Sequence, residues 1–101
     1  MRQVVRHLAT GNRYVIRVRG DSMEPRIQDG DLLLVDYSKE PRPGNIVIAL
    51  INSEAVVKKY LRQKGRVILR STNQKYSDIE IAETDQFLIA GVVLRIVEGA
   101  V

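Results

Sequence analysis

Short apolar runs separated by turn signals make up most of this chain. Residues 14–19 alternate, with Ile16 and Val18 on one face and arginines on the other, which is the period-two pattern of a half-buried strand. Continuous branched aliphatic runs are too short for typical helices, so they predict strands that are covered on both faces. These runs lie at residues 32–35 and 46–51, and further strands are predicted at 55–61, 67–69 and 87–97.

Two turn signals predict hairpins between neighbouring strands. An Asn-Ser pair at 52–53 follows the third predicted strand, and a Lys-Gly pair at 64–65 follows the fourth. Gly91 is expected to bend the last strand. Helical periodicity is absent, and only residues 1–8 and 22–27 are compatible with a single helical turn. The pattern therefore predicts a mainly β fold.

Composition limits the chemistry that this chain can carry. Its 101 residues predict one domain over 1–101, with the 45% hydrophobic and 28% charged residues of an ordinary globular protein. The absence of cysteine excludes disulfides and thiolate nucleophiles. His7 is the single histidine, so a Ser-His-Asp triad would depend on a residue near the terminus. We expect no metal and no cofactor.

Charge and hydropathy point to a cytoplasmic protein. The longest apolar run, at residues 87–94, is far shorter than the roughly 18 residues that a membrane-spanning helix needs. The first seven residues lack the continuous apolar stretch of a secretory signal. A net charge of +4 would favour an acidic partner, but such an excess is common on plain surfaces. DNA contact by this domain is therefore not expected.

Ser22 is the candidate nucleophile. It follows Gly20 and Asp21 at a sharp turn between two predicted strands, where a hydroxyl would be exposed. A serine needs a neighbouring base, and without a suitable histidine the choice is among Lys, Asp and Glu. Backbone N–H groups of Asp21 and Ser22, at the same turn, are the candidates for an oxyanion hole. The competing interpretation is that Gly-Asp-Ser is ordinary turn chemistry.

Lys58 and Lys59 are the candidate bases. They lie on opposite faces of one predicted strand, so one of them is expected to point inward. Burial disfavours the ammonium and lowers the pKa of a lysine, which makes it a base near neutral pH. A Lys-Lys pair on a solvated strand edge is the alternative. The nearby Asp29-Gly30-Asp31 is predicted to be a turn, because it lacks the further oxygen ligands of a Ca²⁺ loop.

In their order along the chain, these segments resemble the peptidase domain shared by LexA, the UmuD mutagenesis proteins and lambdoid phage repressors. Two features depart from the pattern. Many relatives have Asp at the position of Asn45, and the loop after Met23 is one residue shorter than in LexA and UmuD. The matching segments cover residues 18–25, 27–36, 43–49 and 57–59, together with Asn73, Tyr76 and residues 91–93.

The resemblance implies roles and a fold. Ser22 falls on the nucleophile of the family and Lys58 on its general base. The fold would be small coiled β-sheets of the LexA and signal-peptidase type with an SH3-like barrel element, and the protein would be a homodimer that uses its C-terminal strands. Family members cut themselves at an Ala-Gly or Cys-Gly bond when RecA filaments activate them. The 21 residues ahead of Ser22 contain no such dipeptide and leave no room for a helix-turn-helix, so operator binding by these residues is not expected.

Several functions follow as hypotheses. The first is a processed UmuD′-like dimeric accessory to a translesion DNA polymerase in the SOS response. The alternative is the dimerisation and autoproteolysis domain of a LexA-like or phage-type transcriptional repressor. A signal peptidase would share the Ser-Lys chemistry but needs a membrane anchor. A basic β-barrel for single-stranded nucleic acid would use five cations instead. These are Lys58, Lys59, Arg62, Lys64 and Arg66.

Overall fold

Eight β-strands form the regular structure of residues 3–5 and 11–98, the part of the chain that the computed structural model describes. They build one antiparallel sheet in the order β1-β2-β3-β8-β4-β5-β6-β7. No α-helix occurs in these ranges, and no helix there is long and apolar enough to cross a membrane. The predicted mainly β class is confirmed. The strands are β1 (Gln3–Val5), β2 (Arg13–Arg17), β3 (Leu32–Asp36), β4 (Ile46–Ile51), β5 (Glu54–Gln63), β6 (Arg66–Arg70), β7 (Ile79–Glu80) and β8 (Phe87–Glu98).

Six strands lie where the apolar pattern predicts them, and β1 and β7 are additional. The helical turn considered for residues 1–8 is wrong at Gln3–Val5, which pair with β2, and His7 lies outside the described residues. Residues 22–27 form a turn in which the Ile27 N–H donates to Met23 O at 2.9 Å, so a single helix-like bond is present.

Both predicted hairpin turns are present, and each fixes a register. At the first turn, both central residues are left-handed, with φ of 49° and 71°. At the second, Lys64 has φ 52° and Gly65 has φ 78°. This backbone is typical of a two-residue turn whose twist matches that of the strands. The second turn pairs β5 with β6 from Gln63 opposite Arg66 to Lys59 opposite Arg70.

Two hydrophobic clusters lie on opposite faces of β4, which explains its continuous apolar sequence. Ile46 and Ile48 belong to one cluster, and the alternate residues Val47 and Ala49 belong to the other. A strand buried on both faces is therefore confirmed here. The first cluster contains Ile16, Val18, Met23, Ile27, Leu33, Val35, Ile46, Ile48 and Val57; the second contains Val47, Ala49, Tyr60, Leu69 and Val92.

Strand β8 connects the two halves of the sheet. Its C-terminal half pairs with β3 and its N-terminal half pairs with β4. A register irregularity lies beside Gly91, where the bend was expected. A Cβ atom at Gly91 would meet Val35 Cγ1 at 2.3 Å, so the close approach of β8 to β3 requires glycine.

Candidate active site

Lys58 is the buried member of the lysine pair. It lies on β5 opposite Val47, and only 7% of it is exposed. It shares a strand face with Tyr60, which packs in the second cluster, whereas Lys59 is half-buried on the other face. Desolvation by these surroundings lowers the pKa of Lys58 from its ordinary value of 10.5. The expectation that one lysine points inward is confirmed, and that lysine is Lys58.

The contacts of the Lys58 amine are uncharged. Nζ lies 2.6 Å from Ser71 Oγ, to which it donates a hydrogen bond, and Ser71 is itself 7% exposed. The Tyr76 ring lies over the amine, with its centroid 5.6 Å from Nζ. Lys58 forms no ion pair within residues 3–5 and 11–98. Because no carboxylate holds a proton on the amine, desolvation determines the direction of its pKa shift.

The turn at residues 20–25, called the Ser22 turn below, is anchored between β2 and β3. Met23 is fully buried in the first cluster and fixes one side of the turn. The Gly20 N–H donates to Asp29 Oδ1 at 2.7 Å, and the Gln28 N–H donates to Asp31 Oδ2 at 2.9 Å. Residues 29–31 therefore form the predicted turn, and their carboxylates cap backbone groups of this connection.

Residues 71–78, called the β6–β7 loop below, bind the Ser22 turn. The Asn73 N–H donates to Ser22 O at 3.0 Å, and Asn73 Nδ2 donates to Asp21 O at 3.0 Å. The Thr72 hydroxyl contacts the carbonyl oxygens of Met23 and Glu24. These bonds reach main-chain oxygens of four successive residues, so the loop fixes the path of the turn backbone.

A side-chain contact joins the same two segments. The Tyr76 hydroxyl donates to the carboxylate of Asp21, the residue before the candidate nucleophile. This hydrogen bond and the negative charge of Asp21 raise the pKa of Tyr76. Tyr76 therefore contacts Asp21 through its hydroxyl and covers the Lys58 amine with its ring.

An ion pair closes the base of the β6–β7 loop. Arg70 ends β6, and its guanidinium binds Asp78 through two hydrogen bonds of 3.0 and 2.8 Å. Asp78 directly precedes β7, so the pair joins the two ends of the loop. The Arg70 guanidinium lowers the pKa of Asp78, which keeps the carboxylate charged.

Ser22 and Lys58 meet the same loop but are not hydrogen-bonded to each other. The amine of Lys58 donates to Ser71, whereas the main chain of Ser22 binds Asn73. Ser22 is half-buried. Across the described ranges the backbone N–H groups of Asp21 and Ser22 have no acceptor. The arrangement provides a desolvated amine, a serine on an anchored turn and two N–H groups without an acceptor among the described residues.

Sequence reasoning missed Ser71 and Thr72. The signal that could have found Ser71 is the turn at Lys64 and Gly65, because its register continues by one step from Lys59 opposite Arg70 to Lys58 opposite Ser71. Asn73 and Tyr76 contributed to the resemblance, but no role was assigned to them. Thr72 gave no signal, since its contacts depend on the path of two loops.

The basic surface proposed for nucleic acid is weakened by these contacts. Lys58 is buried and cannot reach a phosphate. The Arg62 guanidinium contacts Tyr60 Oη and Gly65 O, and Arg66 pairs with Glu80. Of the five cations that the nucleic-acid hypothesis requires, one is thus buried and two are bound to other groups of the protein.

Comparison with known proteins identifies one family. The family model described as "Peptidase S24-like" matches residues 2–94. A LexA repressor of Pseudomonas aeruginosa is 42% identical over 88 residues, which cover 81% of this chain and 43% of the repressor. A LexA repressor of Bordetella parapertussis is 40% identical over 85 residues, covering 83% and 39%. One from Syntrophobacter fumaroxidans is 36% identical over 93 residues, covering 91% and 45%. The chain spans less than half the length of these curated relatives.

Proposed function

We propose that this chain, which belongs to the Peptidase S24-like family, is the self-cleaving serine-lysine peptidase domain of a LexA-like repressor. Ser22 is the nucleophile and Lys58 is its general base. The observation that carries the proposal is the buried Lys58 amine, which has a lowered pKa and only uncharged contacts among the described residues. A lysine in such surroundings can be neutral and can accept a proton.

The reaction follows from these groups. Neutral Lys58 removes the proton from Ser22 Oγ as this oxygen attacks the carbonyl carbon of the scissile peptide bond. The carbonyl oxygen becomes an oxyanion, and the N–H groups of Asp21 and Ser22 donate hydrogen bonds to it. The Lys58 ammonium then protonates the leaving amine as the C–N bond breaks. Water hydrolyses the resulting ester on Ser22 and completes the cycle.

The repressor-type role is preferred to the UmuD′-like role, because the three relatives described above are repressors. The UmuD′-like accessory to translesion synthesis is retained as the second candidate, since residues 29–36, 44–49 and 56–59 resemble UmuD. A stoichiometric complex with a translesion polymerase would favour that candidate. Both roles use the same dyad and the same sheet.

The partners follow from the family membership and are part of the proposal. We expect residues 1–101 to act as one domain in a homodimer, in the bacterial cytoplasm, with a RecA filament as the activator of cleavage. Operator DNA would be bound by another part of a longer repressor. No cofactor is required by the chemistry above.

Cleavage of a peptide with an Ala-Gly bond, supplied in trans over a series of rising pH values, tests the dyad. We expect Ser22→Ala and Lys58→Ala each to abolish cleavage, because one removes the nucleophile and the other removes its base. Activity of the wild type should rise with pH through the pKa of Lys58, since only the neutral amine is a base. The products should be measured by mass spectrometry.

Two matched variants serve as controls for this experiment. Lys59→Ala removes the neighbouring lysine on the opposite face of β5, and Ser77→Ala removes an exposed serine of the β6–β7 loop. Both should cleave like the wild type. Cleavage that survives in Ser22→Ala, or that is lost equally in Lys59→Ala, would refute the assignment.

A further inference from the structure

We propose that Ser71 is a positioning residue that holds the Lys58 amine in place for proton transfer with Ser22. This inference rests on the proposed function, because it assigns a role within the same dyad. The hydroxyl of Ser71 acts through Lys58, to which it is hydrogen-bonded, and forms no hydrogen bond with Ser22 among the described residues.

The hydrogen bond between Lys58 and Ser71 is well placed to fix a flexible side chain. A lysine ammonium ends a four-carbon stem with many rotamers, and confining such a side chain lowers its conformational entropy. Val47, opposite Lys58 on β4, offers only an apolar side chain to the stem. The 2.6 Å contact with Ser71 Oγ is the one hydrogen bond of the amine within the described residues. Without this hydrogen bond, only packing would orient the end of the Lys58 side chain.

Ser71 lies only two residues from a hydrogen bond to the candidate nucleophile. Ser71 begins the β6–β7 loop, and two residues later the Asn73 N–H donates to Ser22 O. Thr72, between them, binds the carbonyl oxygen of Met23. One stretch of three residues therefore contacts both the base and the turn that carries the nucleophile. A displacement of Ser71 would change their separation.

A neutral hydroxyl suits this position better than a carboxylate. An acidic side chain 2.6 Å from the amine would also orient it, but would favour the ammonium and oppose its use as a base. A serine oxygen accepts a hydrogen bond without adding a charge. Ser71 thus orients the amine while desolvation continues to lower the pKa of Lys58.

Steady-state cleavage of the Ala-Gly peptide over a pH series, in Ser71→Ala and Ser71→Thr, tests the proposal. In Ser71→Ala we expect kcat at the alkaline plateau to fall about 10- to 100-fold with KM unchanged, because misplacement of a catalytic group has effects of this size. The midpoint of the pH profile should move to lower pH, because the ammonium loses an acceptor. Ser71→Thr keeps the hydroxyl and should restore kcat to within about threefold.

Controls separate positioning from folding. Ser77→Ala should leave the kinetics unchanged. Ser71→Val has the shape of the threonine variant without its hydroxyl, so it should lose kcat as Ser71→Ala does even if the alanine variant fails to fold. A kcat within twofold of wild type in Ser71→Ala or Ser71→Val, or a failure of Ser71→Thr to recover, overturns the proposal.

A titration that needs no cleavage distinguishes failure of this inference from failure of the proposed function. The ¹³Cε resonance of Lys58, assigned by its loss in Lys58→Met, reports its protonation directly. We expect a lower titration midpoint in Ser71→Ala than in wild type, whether or not the peptide is cut. An unchanged midpoint would refute the role of Ser71, whereas a shifted midpoint in a protein whose wild type never cleaves would refute only the peptidase function.

Discussion

Burial of Lys58 lowers the free energy of unfolding of this fold, because a desolvated ammonium is less stable than one in water. It occupies a face of β5 where Tyr60 is buried, and no anion compensates it among the described residues. Placing it there lowers the stability of the folded chain at any pH where the unfolded chain would be protonated. Selection for stability alone would favour an apolar residue at this position.

The pH dependence of stability should reveal this cost. Below the folded-state pKa of Lys58 the full cost is present, and it disappears as the pH rises toward 10.5, where the unfolded lysine also loses its proton. The stability of Lys58→Met relative to wild type should therefore decline over this interval. The expected decline is about 1.4 kcal/mol for each unit by which the pKa is lowered. Urea denaturation at a series of pH values measures it.

Val57→Ala is the control for this measurement. Val57 is the buried neighbour of Lys58 on β5 and cannot titrate. Its free energy of unfolding should differ from wild type by an amount that is constant with pH. A constant difference for Lys58→Met as well would contradict the burial cost described above.

Tyr76 should keep its contact with Asp21 while Lys58 becomes a base. The pKa of Tyr76 is raised above 10.0, chiefly by its hydrogen bond to Asp21, whereas that of Lys58 is lowered below 10.5. Both shifts extend the pH range in which a neutral phenol and a neutral amine coexist. The Ser22 turn is therefore held in the conditions under which cleavage is expected.

At the scale of elements, the ion pair that closes the β6–β7 loop should affect activity more than stability. Arg70 and Asp78 are each more than two fifths exposed, and exposed pairs contribute only about 0–1 kcal/mol. Opening the loop, however, would disturb its bonds to the Ser22 turn. We expect Arg70→Ala to change the unfolding free energy by less than about 1 kcal/mol and to lower cleavage of the Ala-Gly peptide severalfold.

The adjacent ion pair offers a matched control for Arg70→Ala. Arg66 and Glu80 also join β6 to β7, with both side chains more than half exposed, but they lie away from the loop ends. Arg66→Ala should have a similarly small effect on stability and no effect on cleavage. Equal losses of activity in the two variants would show that the loop does not depend on Arg70.

The apolar pattern was sufficient to predict the long elements. Strand β4 has the predicted bounds, because a strand that is buried on both faces is apolar at every position and the apolar run itself marks its two ends. The strands β1 and β7 have only three and two residues, too few for a period to emerge. Strand β2 ends at Arg17 rather than Arg19, because Val18 pairs with Asp31 in the connection to β3.

The candidate site was less accessible to sequence reasoning. The motif around Ser22 and the Lys58-Lys59 pair gave two candidates, and family resemblance selected between the lysines. Ser71 could be inferred only by extending the hairpin register, and Thr72 could not be inferred at all. Contacts between two loops depend on tertiary geometry, which has no local pattern in the sequence.

On the scale of the molecule, strand β8 leaves apolar side chains exposed. Leu88 is 58% exposed, and Ile96 and Val97 are 41% and 38% exposed. Val92 pairs with both β3 and β4, but the residues of β8 after it pair only with β3 and those before it pair only with β4 among the described strands. Unpaired edges with apolar side chains favour association. This agrees with the homodimer proposed above.

Sedimentation equilibrium tests the role of this surface. We expect Ile96→Asp to shift the protein from dimer to monomer, because a charge would be buried against the partner. Tyr37→Asp, a charge at another exposed aromatic residue, is the control and should remain dimeric. A dimer that persists in Ile96→Asp would place the interface elsewhere.

The hydrogen bonds between the β6–β7 loop and the Ser22 turn have a consequence for protein engineering. Apart from the contact between Tyr76 and Asp21, the loop holds carbonyl oxygens that every amino acid possesses. Randomised libraries at the exposed Arg26, which directly follows the turn, would therefore change the surface offered to a substrate without removing the attachment. Substrate selectivity could therefore be changed at the Ser22 turn while the backbone of the turn stays in place.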